Sequence, residues 1–290
     1  MILVWGSRTD SPVASVLDAL AARGAEVCHI DESTLATMGY DIVFGPSPEG
    51  WIEPAGRRIA IDDLRGAYLR PGNLAAGPAR SAGMTLLALA SNMRGTIVNR
   101  PAAGRSNASK PYQLGLITQA GLEVPDTLVT TDPAAARAFL LEHHRLVYKS
   151  LSGIRSIVAI LDAADEARLD GVRTGPVQLQ AYVQGLDVRV HVVGERCFAC
   201  SVRSAAADYR YAGTAGAAAE LSAFELPETV GRRIVALVRG MDLQVAGVDL
   251  RCTPDGSWIC FEVNPSPGFP WYEDATGHPI AEAIANALAS

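Results

Sequence analysis

Ala246-Gly247-Val248-Asp249-Leu250-Arg251, followed by Phe261-Glu262-Val263-Asn264-Pro265-Ser266-Pro267-Gly268, is the stretch on which the reading of this chain turns. Both runs have strand composition, and Thr253-Pro254-Asp255-Gly256 between them is a strong turn signal, so the pair should form a hairpin. A four-residue loop would set Arg251 opposite Trp258 and Asp249 opposite Cys260. Side chains alternate across a strand, so Asp249, Glu262 and Asn264 share one face while Val248, Leu250, Phe261 and Val263 share the other. The second face packs. The first offers two carboxylates and an amide, hard oxygen ligands of the kind Mg²⁺ combines with phosphate oxygens and water.

The chain has 290 residues, 49% of them hydrophobic, enough for one large domain or two to three small ones. Its net charge is −6, and no long basic run occurs, which disfavours nucleic acid as a partner. No apolar run approaches membrane-spanning length, and Met-Ile-Leu-Val-Trp-Gly-Ser at the start reads as a core strand rather than a signal peptide. Five cysteines, an odd number, suggest a reducing cytoplasm. Cys197-Phe-Ala-Cys200 lacks a second Cys or His pair and lies in a strand-like run, so it reads as packing.

Residues 2–6 read as a strand, Asp10-Ser11-Pro12 as a helix start with Asp10 as its cap, and 26–31 as a second strand. This βαβ opening predicts an α/β layer, with further strands near 40–44, 67–70 and 96–99 and a helix over 78–93. It carries no Gly-x-Gly-x-x-Gly. Helices are expected over 109–121, 132–144, 227–241 and 279–289. Strands are expected over 127–131, 146–150, 157–161, 177–183, 187–193 and 197–203. Alternation along Asp187-Val188-Arg189-Val190-His191-Val192 puts Asp187, Arg189 and His191 on one face. Residues 205–219, rich in Ala and Gly, read as a loop.

Gly-Val-Asp followed by Glu-Val-Asn-Pro-Ser-Pro-Gly resembles the metal signature of the ATP-grasp ligases, and within them the branch of RimK-type glutamate ligases and graspetide peptide macrocyclases. The resemblance runs from about residue 99 to the C-terminus. It implies an α/β ATP-grasp fold, two α+β lobes sandwiching ATP, behind a small N-terminal α/β domain. The corresponding regions are 1–100, 101–176 and 177–290. It implies ATP and Mg²⁺, or Mn²⁺, as cofactors, with Asp249, Glu262 and Asn264 as metal ligands. Lys110 and Lys149 resemble the family's nucleotide-binding lysines. Gln180-Ala181-Tyr182-Val183 resembles the hinge that reads adenine, and Asp187 falls beside the nucleotide. Asp187 and Arg189 fit the family's Asp-x-Arg, which implies Arg189 near the terminal or acyl phosphate. Arg210, within Asp208-Tyr209-Arg210, resembles the arginine that faces the reacting phosphoryl group; Arg203 is grouped with these two as a catalytic candidate. Residues 150–156 occupy the place of the phosphate-covering loop, although with one glycine where many members have several. His191 matches no family role and reads as structural.

The activity so implied is ligation of a carboxylate to an amine or hydroxyl through an acyl phosphate. Tyr68-Leu69-Arg70-Pro71, residues 109–114 and residues 125–133 look most like graspetide ligases, which cross-link a ribosomally made peptide, whereas Pro265-Ser266-Pro267-Gly268 looks more like the RimK type. An acidic peptide is therefore the expected substrate. A small carboxylate is the alternative, and a nucleotide-binding module without turnover is the alternative of another class. The sequence leaves a homo-oligomer open.

Overall fold

The computed structural model describes residues 1–73, 76–149, 158–204 and 219–290. The chain begins with β1 (Ile2–Trp5), α1 (Ser11–Ala22) and β2 (Val27–Ile30). It continues through β3 (Gly39–Val43), β4 (Glu49–Glu53), β5 (Ile59–Ala60), β6 (Gly66–Leu69), α2 (Pro78–Asn92) and β7 (Thr96–Val98). A parallel sheet of order β2-β1-β6-β7 forms the first layer. β1 and β6 are buried along their whole length, as strands covered on both faces must be. The small antiparallel sheet β3-β4-β5 was only partly legible, since β4 and β5 lie in a Gly- and Pro-interrupted stretch without clear alternation.

A central antiparallel sheet of order β10-β9-β11-β8 follows, from β8 (Thr127–Thr130), β9 (Leu146–Lys149), β10 (Val158–Leu161) and β11 (Val177–Ala181). It is preceded by α3 (Lys110–Gln119) and covered by α4 (Pro133–His143), whose Asp132 cap accepts a hydrogen bond from the Ala134 N–H at 2.9 Å. The third sheet, also antiparallel, has the order β14-β13-β12-β15-β16. Its strands are β12 (Leu186–Val193), β13 (Arg196–Ser204), β14 (Ala219–Ala223), β15 (Val245–Cys252) and β16 (Trp258–Asn264). Three helices accompany it: α5 (Glu228–Gly240), α6 (Pro270–Thr276) and α7 (Ile280–Ala289). Among the described residues no helix is long and apolar enough to cross a membrane.

One face of the third sheet packs Val188, Val190, Val248 and Val263 against Ile234 and Leu237 of α5. The other faces α6 and α7. The last helix does not stay with its own sheet: Ile284 and Leu288 of α7 enter one cluster with Val13, Leu17 and Leu20 of α1, Ile2 and Val4 of β1, and Val193 and Phe198. The first and third sheets thus share one apolar core, closed by the chain's final turns.

The outer edge of β16 is covered. Gln113 of α3 is buried, its Nε2 donates to the Val263 carbonyl at 2.7 Å, and its Oε1 accepts from the Val263 N–H at 2.8 Å. The Cys260 N–H donates to the Glu123 carbonyl at 2.8 Å. A single amide side chain thereby acts as a strand partner where a free edge would leave backbone groups unpaired. Gln113→Leu keeps the volume and removes both bonds. It should cost about 1–3 kcal/mol for the stranded Val263 groups, read as a lower midpoint of denaturant unfolding.

Candidate active site

The hairpin forms, but in a register the turn did not predict. Cys252 pairs with Trp258, Arg251 with Ile259 and Leu250 with Cys260, and then the register shifts so that Asp249 pairs with Glu262, Val248 with Val263 and Gly247 with Asn264. Phe261 is the extra residue of a β-bulge. Without it, two-residue alternation would turn Glu262 into the core beside Val248; the bulge restores it to the face of Asp249. Phe261 accordingly leaves the packing face expected for it. Its ring lies 5.5 Å from the Lys149 ammonium and 5.2 Å from the Arg251 guanidinium, between the central and third sheets.

Asp249 and Glu262 stand directly across from each other, and Arg189, opposite Asp249 on the neighbouring strand β12, donates from Nη1 to Asp249 Oδ1 at 2.6 Å. Arg189 is 5% exposed. It reaches this position because residue 247 is glycine: a Cβ there would overlap the guanidinium and lie 2.8 Å from Pro267 Cβ. Beneath the pair, burial raises the pKa of the Cys260 thiol well above its ordinary value, and the charges of Asp249 and Glu262 add to the shift. His191, next along β12, is buried against Tyr272, with ring centroids 4.8 Å apart. Burial first, then the Arg189 charge, hold its pKa well below the ordinary histidine value. The ring is therefore neutral, and its Nε2, 3.2 Å from the Gly268 carbonyl, carries the proton, leaving Nδ1 buried without a partner among the described residues.

The donor set suits Mg²⁺ shared with phosphate oxygens. It offers two carboxylates and the Asn264 amide on one face, and no group of three His, Cys, Asp or Glu side chains forms a closed metal cage among the described residues. Asn264 Oδ1 also accepts from the Ser266 N–H at 2.9 Å, which turns the chain sharply after the last candidate ligand.

On the central sheet, Lys149 donates to Gln180 Oε1 at 2.8 Å, and Gln180, itself buried, donates to Thr127 Oγ1 at 3.1 Å. The segment expected as a hinge has several backbone groups engaged. The Ala181 N–H donates to the Asp126 carbonyl, the Tyr182 N–H to the Arg145 carbonyl, and the Val183 carbonyl accepts from Arg251 at 2.6 Å. The Val183 N–H has no partner among the described residues. Arg251 also binds the Asp187 carboxylate through Nε and Nη2, at 2.8 and 2.6 Å. The Tyr182 ring lies between cations, 4.1 Å from Arg145 and 5.8 Å from Arg251. Arg251 was legible in principle, being two residues beyond Asp249 on the same strand face.

Not every expected residue joins this cluster. Cys200 pairs with Arg189 across β12 and β13, so Arg203 falls on the opposite face of β13, exposed and in register with Glu220. The pleat thus removes Arg203 from the group around Arg189. Arg210 and the rest of Asp208-Tyr209-Arg210, like the 150–156 loop, lie outside the described residues. Lys110 sits half-buried one turn before Gln113 on α3. Cys197 and Cys200, three residues apart on β13, point to opposite faces, and burial pushes the Cys197 thiol up to about 11.

Two α+β sheets facing a shared cation–aromatic cluster, with paired carboxylates on a hairpin and an α/β layer in front, define the ATP-grasp class. Residues 107–288, well over half of the chain, match the RimK-like ATP-grasp domain, and the chain belongs to that family. It is 30% identical over 197 residues to a probable alpha-L-glutamate ligase of Alkalilimnicola ehrlichii. That alignment covers 64% of this chain and 65%, just under two thirds, of the relative. The solved ATP-grasp ligase PsnB, in complex with a minimal precursor, Mg and ADP, is 27% identical, with a TM-score of 0.83 over 99% of this chain and 96% of that one. A ligase of Chryseobacterium gregarium shares the fold at 19% identity and a TM-score of 0.84, covering 99% and 96% of the two chains.

Gly247→Ala tests the packing of Arg189 directly. The added methyl should cost about 1–3 kcal/mol of stability, measured by denaturant unfolding, and displace the guanidinium from Asp249. Any activity should fall with it while the far-ultraviolet circular dichroism stays that of the native protein.

Proposed function

We propose that this chain is an ATP- and Mg²⁺-dependent ligase that activates a carboxylate of a ribosomally made peptide and joins it to an amine or hydroxyl of the same peptide. The observation that carries the ligase reading is the Arg189–Asp249 pair opposite Glu262, two carboxylates suited to a metal with a buried guanidinium at the same place. The carboxylate oxygen attacks the γ-phosphorus, the bond to the β-phosphate bridging oxygen breaks, and ADP leaves. The amine or hydroxyl then attacks the acyl carbon, and phosphate departs as the nucleophile loses its proton. Bound Mg²⁺ would supply charge neutralisation at the phosphate oxygens.

The chain's own residues do the positioning. Asp249, Glu262 and Asn264 would hold the metal. Lys149, steered by Gln180, would meet the phosphates, and the hinge at 180–183 the base, with Asp187 fixed beside it by Arg251. Arg189 offers its charge at the transferring group, and Arg210 is assigned there by its Asp-Tyr-Arg context. The peptide substrate is supported by PsnB, which resembles this chain over nearly its whole length and binds a precursor together with Mg and ADP. A second reading, addition of glutamate to a protein or peptide, is favoured by the Alkalilimnicola relative and by the Pro265–Gly268 run.

Glu262→Gln should lower ATP-dependent turnover by about 100-fold or more, since even groups that only support a ligand cost 10–100-fold. Wild-type turnover at ordinary Mg²⁺ would remove the metal assignment. Acidic peptides encoded beside this gene, incubated with enzyme, ATP and Mg²⁺, should lose one water mass per bond formed, with one ADP released for each. A gain of glutamate mass instead supports the second reading, and ADP formation driven only by small acids excludes a peptide.

A further inference from the structure

The loop that follows the candidate metal ligands is not held by its own hairpin. Four residues, Pro265 to Gly268, leave β16, and side chains from three other elements grip them. Asn99, at the exit of β7, donates from Nδ2 to the Pro265 carbonyl at 2.6 Å and to the Val245 carbonyl at 2.7 Å, and its Oδ1 accepts from the N–H groups of Gln244 and Val245 at 2.8 and 3.1 Å. His191 of β12 holds the Gly268 carbonyl. Between them, Arg70, at the exit of β6, donates from Nη1 to Ser266 Oγ and to the Pro267 carbonyl, both at 2.9 Å.

Arg70 is itself braced. Its Nε donates to Asp10 Oδ2 at 2.6 Å, and its N–H donates to the Trp5 carbonyl at 2.8 Å. The arginine is 14% exposed at its side chain and the aspartate 36%. Asp10 stands at the cap position of α1 but makes no side-chain cap bond there; its carboxylate faces Arg70 instead. The guanidinium therefore joins two strand exits of the first sheet to the loop beginning three residues after Glu262. Ser266, which Arg70 holds by its hydroxyl, is the residue whose N–H fixes Asn264 Oδ1.

We infer that Arg70 is a positioning residue of the metal site, by which the N-terminal domain sets the orientation of Asn264 and Glu262 through Ser266 and Pro267. Its guanidinium acts on the candidate ligands only through Ser266 and Pro267. Its role is that of the outer groups that orient ligands in metal centres, whose removal typically weakens metal affinity about 10- to 100-fold. The inference rests on the assignment of Asp249, Glu262 and Asn264 as the metal ligands.

The test uses the full chain with ADP and Mn²⁺, read by electron paramagnetic resonance of the bound ion and by calorimetry of ADP binding with and without metal. Arg70→Met should raise the Kd for Mn²⁺ at saturating ADP about tenfold or more, while metal-free ADP binding stays within about twofold of wild type. Asp10→Asn and Ser266→Ala, each removing one of Arg70's partners, should shift the Mn²⁺ Kd the same way by less. They also keep the test open if Arg70→Met does not fold. Glu262→Gln runs in parallel. If Glu262→Gln loses Mn²⁺ while Arg70→Met, or failing that both milder variants, bind it as wild type does, the inference is wrong and the metal assignment stands. If Glu262→Gln also binds as wild type, both fall. If Arg70→Met weakens ADP equally with and without metal, its role is general stability, and the inference is overturned.

Discussion

The buried ion pair of Arg189 with Asp249 is the contact around which the rest of the site is arranged. Two carboxylates directly opposite each other on a hairpin repel, and a largely buried guanidinium beside them offsets that repulsion while remaining a cation at the cleft. Burying a charge without a partner is prohibitive, so neither side chain can relax independently of the other. Their mutual placement constrains the local sequence. Residue 247 must be glycine to let the guanidinium cross, Phe261 must bulge to bring Glu262 to the same face, and Pro267 must lie close over the glycine.

From that pair outward, the lobes are tied by polar and aromatic contacts more than by apolar packing. Between the central and third sheets, cations and rings alternate: Arg145, Tyr182, Arg251, Phe261, Lys149. Such contacts are individually modest and tolerate small changes of angle. The first and third sheets are joined differently, by a shared apolar core through α7 and by the bonds of Arg70 and Asn99. The candidate metal hairpin is thus fixed on the N-terminal side and bordered on the central side by softer contacts.

The neutral His191 adds to the rigid side. Burial disfavours a protonated imidazole there, and the Arg189 charge and His278 add to the penalty, so the fold favours the uncharged form. Its contribution to stability is complete above the unfolded histidine pKa of about 6.5 and is lost as the pH falls below it.

Much of this site was readable along the chain, because two-residue alternation is a local property. It grouped Asp249, Glu262 and Asn264, and it put Asp187, Arg189 and His191 on one face of a single strand. The same rule applied to β13 would have set Arg203 apart from Arg189 once the pairing with β12 was known; the family resemblance alone did not carry that information. The bulge at Phe261 was invisible, since nothing in Trp258–Asn264 marks which residue is extra until Leu250 and Asp249 choose their partners. Arg70 and Ser266 are 196 residues apart and Asn99 and Pro265 are 166 apart, so no spacing rule could join them. What the sequence by itself determined was the order of strands and helices, the chemistry of each strand face and, by resemblance, the family. Which faces meet, which residue bulges, and which distant side chains grip the loop after the candidate metal ligands were decided only by the tertiary structure, because those contacts form between surfaces that exist only after the sheets have packed.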